Sequence, residues 1–121
     1  MDQKIYMFAK FHAKPGKRDE VHERLQEMVI LTNKEPGCVF YHLHVDREVS
    51  EIFYFMECWE DQKALDFHMQ TPYVQAILRD SQSLTVDGID ISFMNRIETW
   101  VWSLVIKNPT AADVVRVVVK G

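Results

Sequence analysis

A chain of 121 residues, 47% hydrophobic and 26% charged with only four glycines and four prolines, is sized and composed for one globular domain with one core, which excludes a disordered or fibrous chain. Fourteen Lys and Arg against 18 Asp and Glu give a net charge of -4, and no basic run exceeds Lys17-Arg18, so the clustered cationic footprint of a nucleic-acid binder is missing. The opening MDQKIYMFAK lacks the continuous apolar segment of a signal peptide, and the longest apolar-rich run, WVWSLVI at 100–106, falls far short of the roughly 20 residues of a membrane span, so a cytoplasmic protein with neither membrane nor nucleic acid as partner is expected.

From Lys4 to Lys14 the chain alternates, with Ile5, Met7, Ala9, Phe11 and Ala13 on one face and Tyr6, Phe8, Lys10, His12 and Lys14 on the other, which predicts a strand. Pro15-Gly16-Lys17 breaks it. Val21, Leu25, Met28, Val29 and Thr32 then recur at helical spacing until Glu35-Pro36-Gly37, predicting an amphipathic helix of about 17 residues with His22, Glu23, Arg24, Gln26 and Glu27 on the wet side. CVFYHLHVDR (38–47) and EIFYFMECWE (51–60) follow as two strands of a hairpin, joined by a polar turn around Glu48, Val49 and Ser50.

DQKALDFHMQ (61–70) predicts a short helix with Asp61 as its N-cap, and PYVQAILRDSQSL (72–84) a second one with Thr71 as cap and Pro72 at its first position. A residue before proline is pushed out of the helical region, so these two helices meet at an angle at Thr71. GIDISFMNRIETW (88–100) alternates Ile89, Ile91, Phe93 and Ile97 against Asp90, Ser92 and Arg96 and predicts a fourth strand.

The order β-α-β-β-α(α)-β is the ferredoxin-like split βαβ arrangement, an α+β fold with an antiparallel sheet and helices on one face. The sheet's second face would carry aromatics drawn from Tyr6, Phe8, Phe40, Phe53 and Phe55 or their counterparts, depending on register. That is too much aromatic surface to leave in water, so a homodimer is expected. Residues 4–100 form this domain. The extension 101–121 lies outside the repeat; its VVRVVVK segment is β-branched enough for an edge strand exchanged with a partner subunit, and a poorly ordered tail is the alternative.

Cys38 and Cys58 stand singly with no C-x-x-C spacing, which predicts two reduced, buried thiols. His42 and His44 share one strand face that His12 can join, but no Cys or carboxylate is spaced to complete a metal site, and none is expected. No Gly-rich nucleotide loop or G-x-S-x-G element is present, so no cofactor is expected either.

His68 carries the chemistry if any residue does. It lies four residues after Ala64 and three after Leu65, on the helix face that must pack on the sheet. Periodicity alone makes it a core histidine. Two features add to that: the last turn of a helix favours the imidazolium while burial favours the neutral ring, a balance that leaves the pKa near its ordinary value of about 6.5, where a general base is useful. Its neighbours are the second: Glu57 and Trp59 end the preceding strand and Tyr73 opens the next helix.

ECWEDQKALDFHMQTPY (57–73) resembles the central motif of the antibiotic biosynthesis monooxygenase (ABM) domain, in which a Trp-containing strand end leads into ALxxHxxTPH. KFHAKPGKRDEV (10–21) and KEPGCVFYHLHVD (34–46) are similar to the same family, and the resemblance runs from about Ile5 to Ile97. It implies a dimer of ferredoxin-like subunits packed as an α+β barrel, with a cavity between sheet and helices in each. It also implies oxidation of a small quinol or phenol by O2 without metal, flavin or haem. His68 would be the base or hydrogen-bond partner of the phenol and Tyr73 a second hydrogen-bonding group, with Trp59, Glu57, Phe55 and Leu65 contacting the substrate.

The chain departs from the pattern at Tyr73, where the family has a second histidine. The haem-degrading branch has Trp at the position of His68 and its haem-ligating His at that of Leu78, so that branch is excluded. Relatives sharing FHxxTP isomerise a phosphorylated autoinducer sugar, which makes an isomerase the second expectation; it needs cations such as Lys10, Arg79 or Arg96 in the pocket. A dimeric, non-catalytic small-molecule-binding module is the third, and a cavity filled by Phe and Met side chains would favour it.

Overall fold

A computed structural model describes residues 3–97. Four strands, β1 (Ile5–Ala13), β2 (Cys38–Val45), β3 (Ile52–Trp59) and β4 (Thr85–Met94), and three helices, α1 (Arg18–Thr32), α2 (Gln62–Met69) and α3 (Pro72–Leu84), follow in the order β1-α1-β2-β3-α2-α3-β4. The sheet runs β2-β3-β1-β4 with every neighbouring pair antiparallel, the ferredoxin-like α+β topology.

Local chemistry sets most boundaries. Gly16, at φ +82°, makes the turn after β1. Asp46 Oδ2 accepts from the N–H groups of Glu48 and Val49 and closes the hairpin between β2 and β3. Asp61 accepts from the Ala64 N–H at the start of α2, and Thr71 from the Val74 N–H at the start of α3, where Pro72 opens the helix. The Thr71 hydroxyl also donates to the His68 carbonyl at 2.7 Å, so one side chain joins the end of α2 to the start of α3.

The main differences from the sequence expectation lie in α1 and β4. α1 spans 15 residues, ending at Thr32. β4 begins at Thr85, directly after α3, rather than at Gly88. The buried Thr85 pairs with Ala13, and its hydroxyl bonds the Ser81 carbonyl. The register then shifts, so that Ile89 pairs with Phe11; this bulge contains Gly88 at φ +79°. Residues 85–87 fall outside both the expected helix and the expected strand because a bulged strand lacks strict alternation. β4 ends at Met94, so Ile97 lies beyond it, and residues 98–100 and the extension 101–121 lie outside the described residues.

Register decides which aromatics face the helices. Met7 pairs with Glu57, Ala9 with Phe55 and Phe11 with Phe53, so Phe53 and Phe55 belong to the inner face, where Val21, Leu25 and Met28 of α1 and Leu65, Val74 and Ile77 of α2 and α3 complete the core. Phe11 meets Phe55 edge-on at 5.7 Å. The outward face instead carries Tyr6 beside Phe40 and Phe8 beside Tyr54, all half-buried. Cys58 is buried and Cys38 half-buried, the two are not joined in a disulfide, and burial pushes the Cys38 thiol up to about 11. Among the described residues no helix is long and apolar enough to cross a membrane.

Candidate active site

His68 occupies the last turn of α2 and is 3% exposed. Its Nδ1 lies 2.8 Å from Oε2 of Glu35, itself 7% exposed. Glu35 reaches this position through the turn between α1 and β2. The Glu35 N–H bonds the Thr32 carbonyl at 3.0 Å, and its own carbonyl receives the Cys38 N–H at 3.2 Å. Gly37 lets the turn lie directly on α2, since a β-carbon there would sit 2.3 Å from Cβ of Ala64. The turn thereby delivers a carboxylate to the underside of the histidine.

The same oxygen, Glu35 Oε2, accepts the hydroxyl of Tyr73 from the first turn of α3. A carboxylate oxygen can only accept, so Nδ1 carries the imidazole proton and Nε2 is the nitrogen left to act as a base. The indole of Trp59 lies against the imidazole with centroids 4.3 Å apart, and Tyr41 approaches it edge-on at 5.5 Å. Trp59 Nε1 donates to Glu57 Oε1 at 3.1 Å.

These surroundings move the titrations. Burial lowers the His68 pKa, and the hydrogen bond and charge of Glu35 oppose it without prevailing. The expected balance near the ordinary value is therefore tipped downward, because burial outweighs the cation-favouring contact with Glu35. Burial raises Glu57 to about 7 despite the hydrogen bond from Trp59. Tyr73 rises to about 12, through burial and then its bond to Glu35, and Tyr41 also rises, through burial and then the charge of Glu57. His68 is a neutral acceptor at neutral pH and both phenols keep their protons.

His68 borders a cavity of about 30 Å³ between sheet and helices, together with Glu57, Tyr41, Phe55, Met28 and Met69. It has room for about one water and none for an aromatic ring. Phe55 and Glu57 thus meet His68 at the cavity. Trp59 and Tyr73 stand behind the imidazole and its carboxylate, and Leu65 packs in the core one turn earlier. A larger hollow of about 830 Å³ lies between α1 and β2, near His22, Gln26, His42 and His44. It is an open groove at the sheet edge without His68, so the buried, convergent acid–base groups make the smaller cavity the candidate site.

Lys10 lies on the outward sheet face and Arg79 and Arg96 are exposed, so none of the three borders the cavity. β3 separates His12 from His42 and His44, and among the described residues no three His, Cys, Asp or Glu side chains are grouped to hold a metal.

Glu35 escaped the sequence reading as a site residue although its position was signalled. It continues the inward spacing of Met28 and Thr32, a carboxylate where the next core residue of the helix would fall. Tyr41 was read only as packing and proves to border the cavity and touch the histidine.

Comparison with known proteins adds identity to this geometry. A Synechocystis protein, sll1783, is 31% identical over 98 residues, 81% of this chain and 67% of that protein. The crystal structure of PA3566 from Pseudomonas aeruginosa superposes with a TM-score of 0.75 at 30% identity, covering 81% of this chain and 98% of that one. A crystal structure described as an antibiotic biosynthesis monooxygenase superposes with a TM-score of 0.72 at 28% identity, covering 78% and 99%. With residues 4–80 also matching the family's sequence profile, the chain belongs to the antibiotic biosynthesis monooxygenase family.

Proposed function

We propose that this protein is a cofactor-independent monooxygenase that oxidises a small quinol or phenol with O2. The observation that carries the proposal is His68, buried and neutral, held by Glu35 through Nδ1 so that Nε2 serves as the base beside an apolar cavity. Triplet O2 reacts slowly with closed-shell molecules, whereas a phenolate transfers an electron to it directly. The protein's task is then to deprotonate and orient the substrate away from water.

The substrate O–H bond breaks as His68 Nε2 takes the proton. The phenolate passes one electron to O2, and the radical pair joins at a ring carbon to form a peroxide. Loss of water from the peroxide leaves an oxidised ring: a hydroquinone plus O2 gives a hydroxyquinone plus water, with atoms and electrons balanced. Tyr41 and Glu57 line the cavity as hydrogen-bonding groups, and Met28 and Met69 are flexible walls that move to admit the ring.

The outward aromatics Tyr6, Phe8, Phe40 and Tyr54 support a homodimer whose two sheets face each other. The absence of a disulfide between Cys38 and Cys58 fits a reducing compartment such as the cytoplasm. The small volume of the cavity favours a second reading, a dimeric small-molecule-binding module, while among the described residues no cation borders the cavity beside His68, which weighs against an isomerase of phosphorylated substrates. Oxygen uptake with 1,4-hydroquinone and 1,4-dihydroxynaphthalene decides. The monooxygenase gives uptake above autoxidation that falls at least about a hundredfold in His68→Ala. Absence of uptake, with binding retained, assigns the binding module.

A further inference from the structure

Glu35 joins two spaces that are otherwise separate. On the inner side it holds His68, which borders the cavity. On the outer side it borders a surface groove of about 350 Å³ together with Gly37, Glu60, Asp61, Lys63 and Phe67. Its Oε2 is shared by His68 and Tyr73, while Oε1 is buried and has no hydrogen-bond partner among the described residues. A buried carboxylate with one oxygen committed and the other unpartnered demands an explanation, because such atoms are normally satisfied.

We propose that Glu35 is the proton exit and entry of the site, relaying protons between His68 and the outer groove. The inference rests on the base role given to His68 above. When the substrate O–H bond breaks and the Nε2–H bond forms, the Nδ1–H bond breaks and the proton passes to Glu35 Oε2. The neutral carboxyl then releases it to water at the groove. On collapse of the peroxide the movement reverses: Nε2–H protonates the departing oxygen, Glu35 takes a proton from water at the groove, and Nδ1 recovers its proton from Glu35. Each cycle returns histidine and carboxylate to their starting forms.

Glu35 touches the reacting atoms only through His68 and is a positioning residue with this added duty. Tyr73, sharing Oε2 and keeping its own proton, fixes the carboxylate in place. The other titratable groups facing the pair are Glu57 on β3, and Cys38 and Tyr41 on β2.

Glu35→Gln separates the relay from mere support, because a glutamine oxygen still accepts from Nδ1 but cannot carry the proton. Histidine-selective NMR of the full-length protein reads the exchange of the His68 ring proton with water. The relay predicts exchange at least about tenfold slower in Glu35→Gln, with neighbouring amide exchange unchanged, and exchange near the wild-type rate in Glu35→Asp. In oxygen uptake with 1,4-hydroquinone, kcat falls at least about tenfold in Glu35→Gln with little change in KM, and Glu35→Asp restores most of it. Wild-type exchange in Glu35→Gln overturns the relay. Should that variant not fold, slowed exchange in a folded Glu35→Asp overturns it equally. Exchange that depends on Glu35 in a protein without quinol uptake refutes the monooxygenase and leaves the relay standing, whereas His68-dependent uptake that ignores Glu35 does the reverse.

Discussion

Gly37 and Ala64 touch so closely that no side chain fits between them: a β-carbon on Gly37 would stand 2.3 Å from Cβ of Ala64 and 3.3 Å from its Cα. The contact presses the turn holding Glu35 onto α2, one turn before His68. Substituting Gly37→Ala forces the turn and helix apart, at a cost on the order of 1–3 kcal/mol in overpacking. Urea denaturation is expected to show this loss. The double variant Gly37→Ala with Ala64→Gly removes the clash and is expected to recover stability relative to Gly37→Ala alone, less the roughly 1 kcal/mol that glycine costs inside a helix. Additive losses in the two single variants would show that the contact does not seat the turn.

The pH dependence of stability should separate Glu57 from His68. Burial raises Glu57 from an ordinary 4.5 to about 7, so the folded chain holds that proton more tightly than the unfolded one. Its contribution is fully present below pH 4.5 and is lost as pH rises to about 7, a change on the order of 3 kcal/mol. His68 runs the other way: its pKa lies below the ordinary 6.5, so its contribution is present above that pH and is lost as pH falls below it. Glu57→Gln keeps an acceptor for Trp59 Nε1 without the titration. Its stability, from urea midpoints at pH 5, 6, 7 and 8, should show no Glu57-type decline over that range and exceed wild type at pH 8. A variant that tracks wild type at every pH would refute the assignment to Glu57.

How much of this was legible in the sequence varies with the physics involved. Asp61, Thr71 and Pro72 announced α2 and α3 because capping is local, and the spacing of His68 from Ala64 and Leu65 made it point inward. Register was not legible: period-2 alternation gives two faces but not which one meets the helices, and only the pairing of Phe11 with Phe53 and Ala9 with Phe55 settles it. Glu35 was hidden for a different reason. A carboxylate in a Pro-Gly turn reads as solvated, and its burial arises only when that turn docks on a helix almost thirty residues later in the chain.

The outward aromatics make the homodimer testable without reference to activity. Phe8 sits beside Tyr54, and a carboxylate at Phe8 would be buried without a partner in any sheet-to-sheet interface. Sedimentation should find the wild type as a dimer and Phe8→Asp as a folded monomer. A wild type that sediments as a monomer at micromolar concentration would remove the dimer altogether.

Met28 tests whether the small cavity is the place where substrate enters. It is 6% exposed, belongs to α1 and borders the cavity beside His68. Truncation in Met28→Ala enlarges that space at a cost of roughly 2–4 kcal/mol in stability, since the walls collapse only in part. If quinols bind there, the added volume lowers KM for 1,4-dihydroxynaphthalene more than for 1,4-hydroquinone, because the wider ring gains most from it. A binding module shows the same preference in affinity without turnover. Equal effects on the two ligands would place the binding site elsewhere, with the open groove between α1 and β2 as the largest other hollow among the described residues.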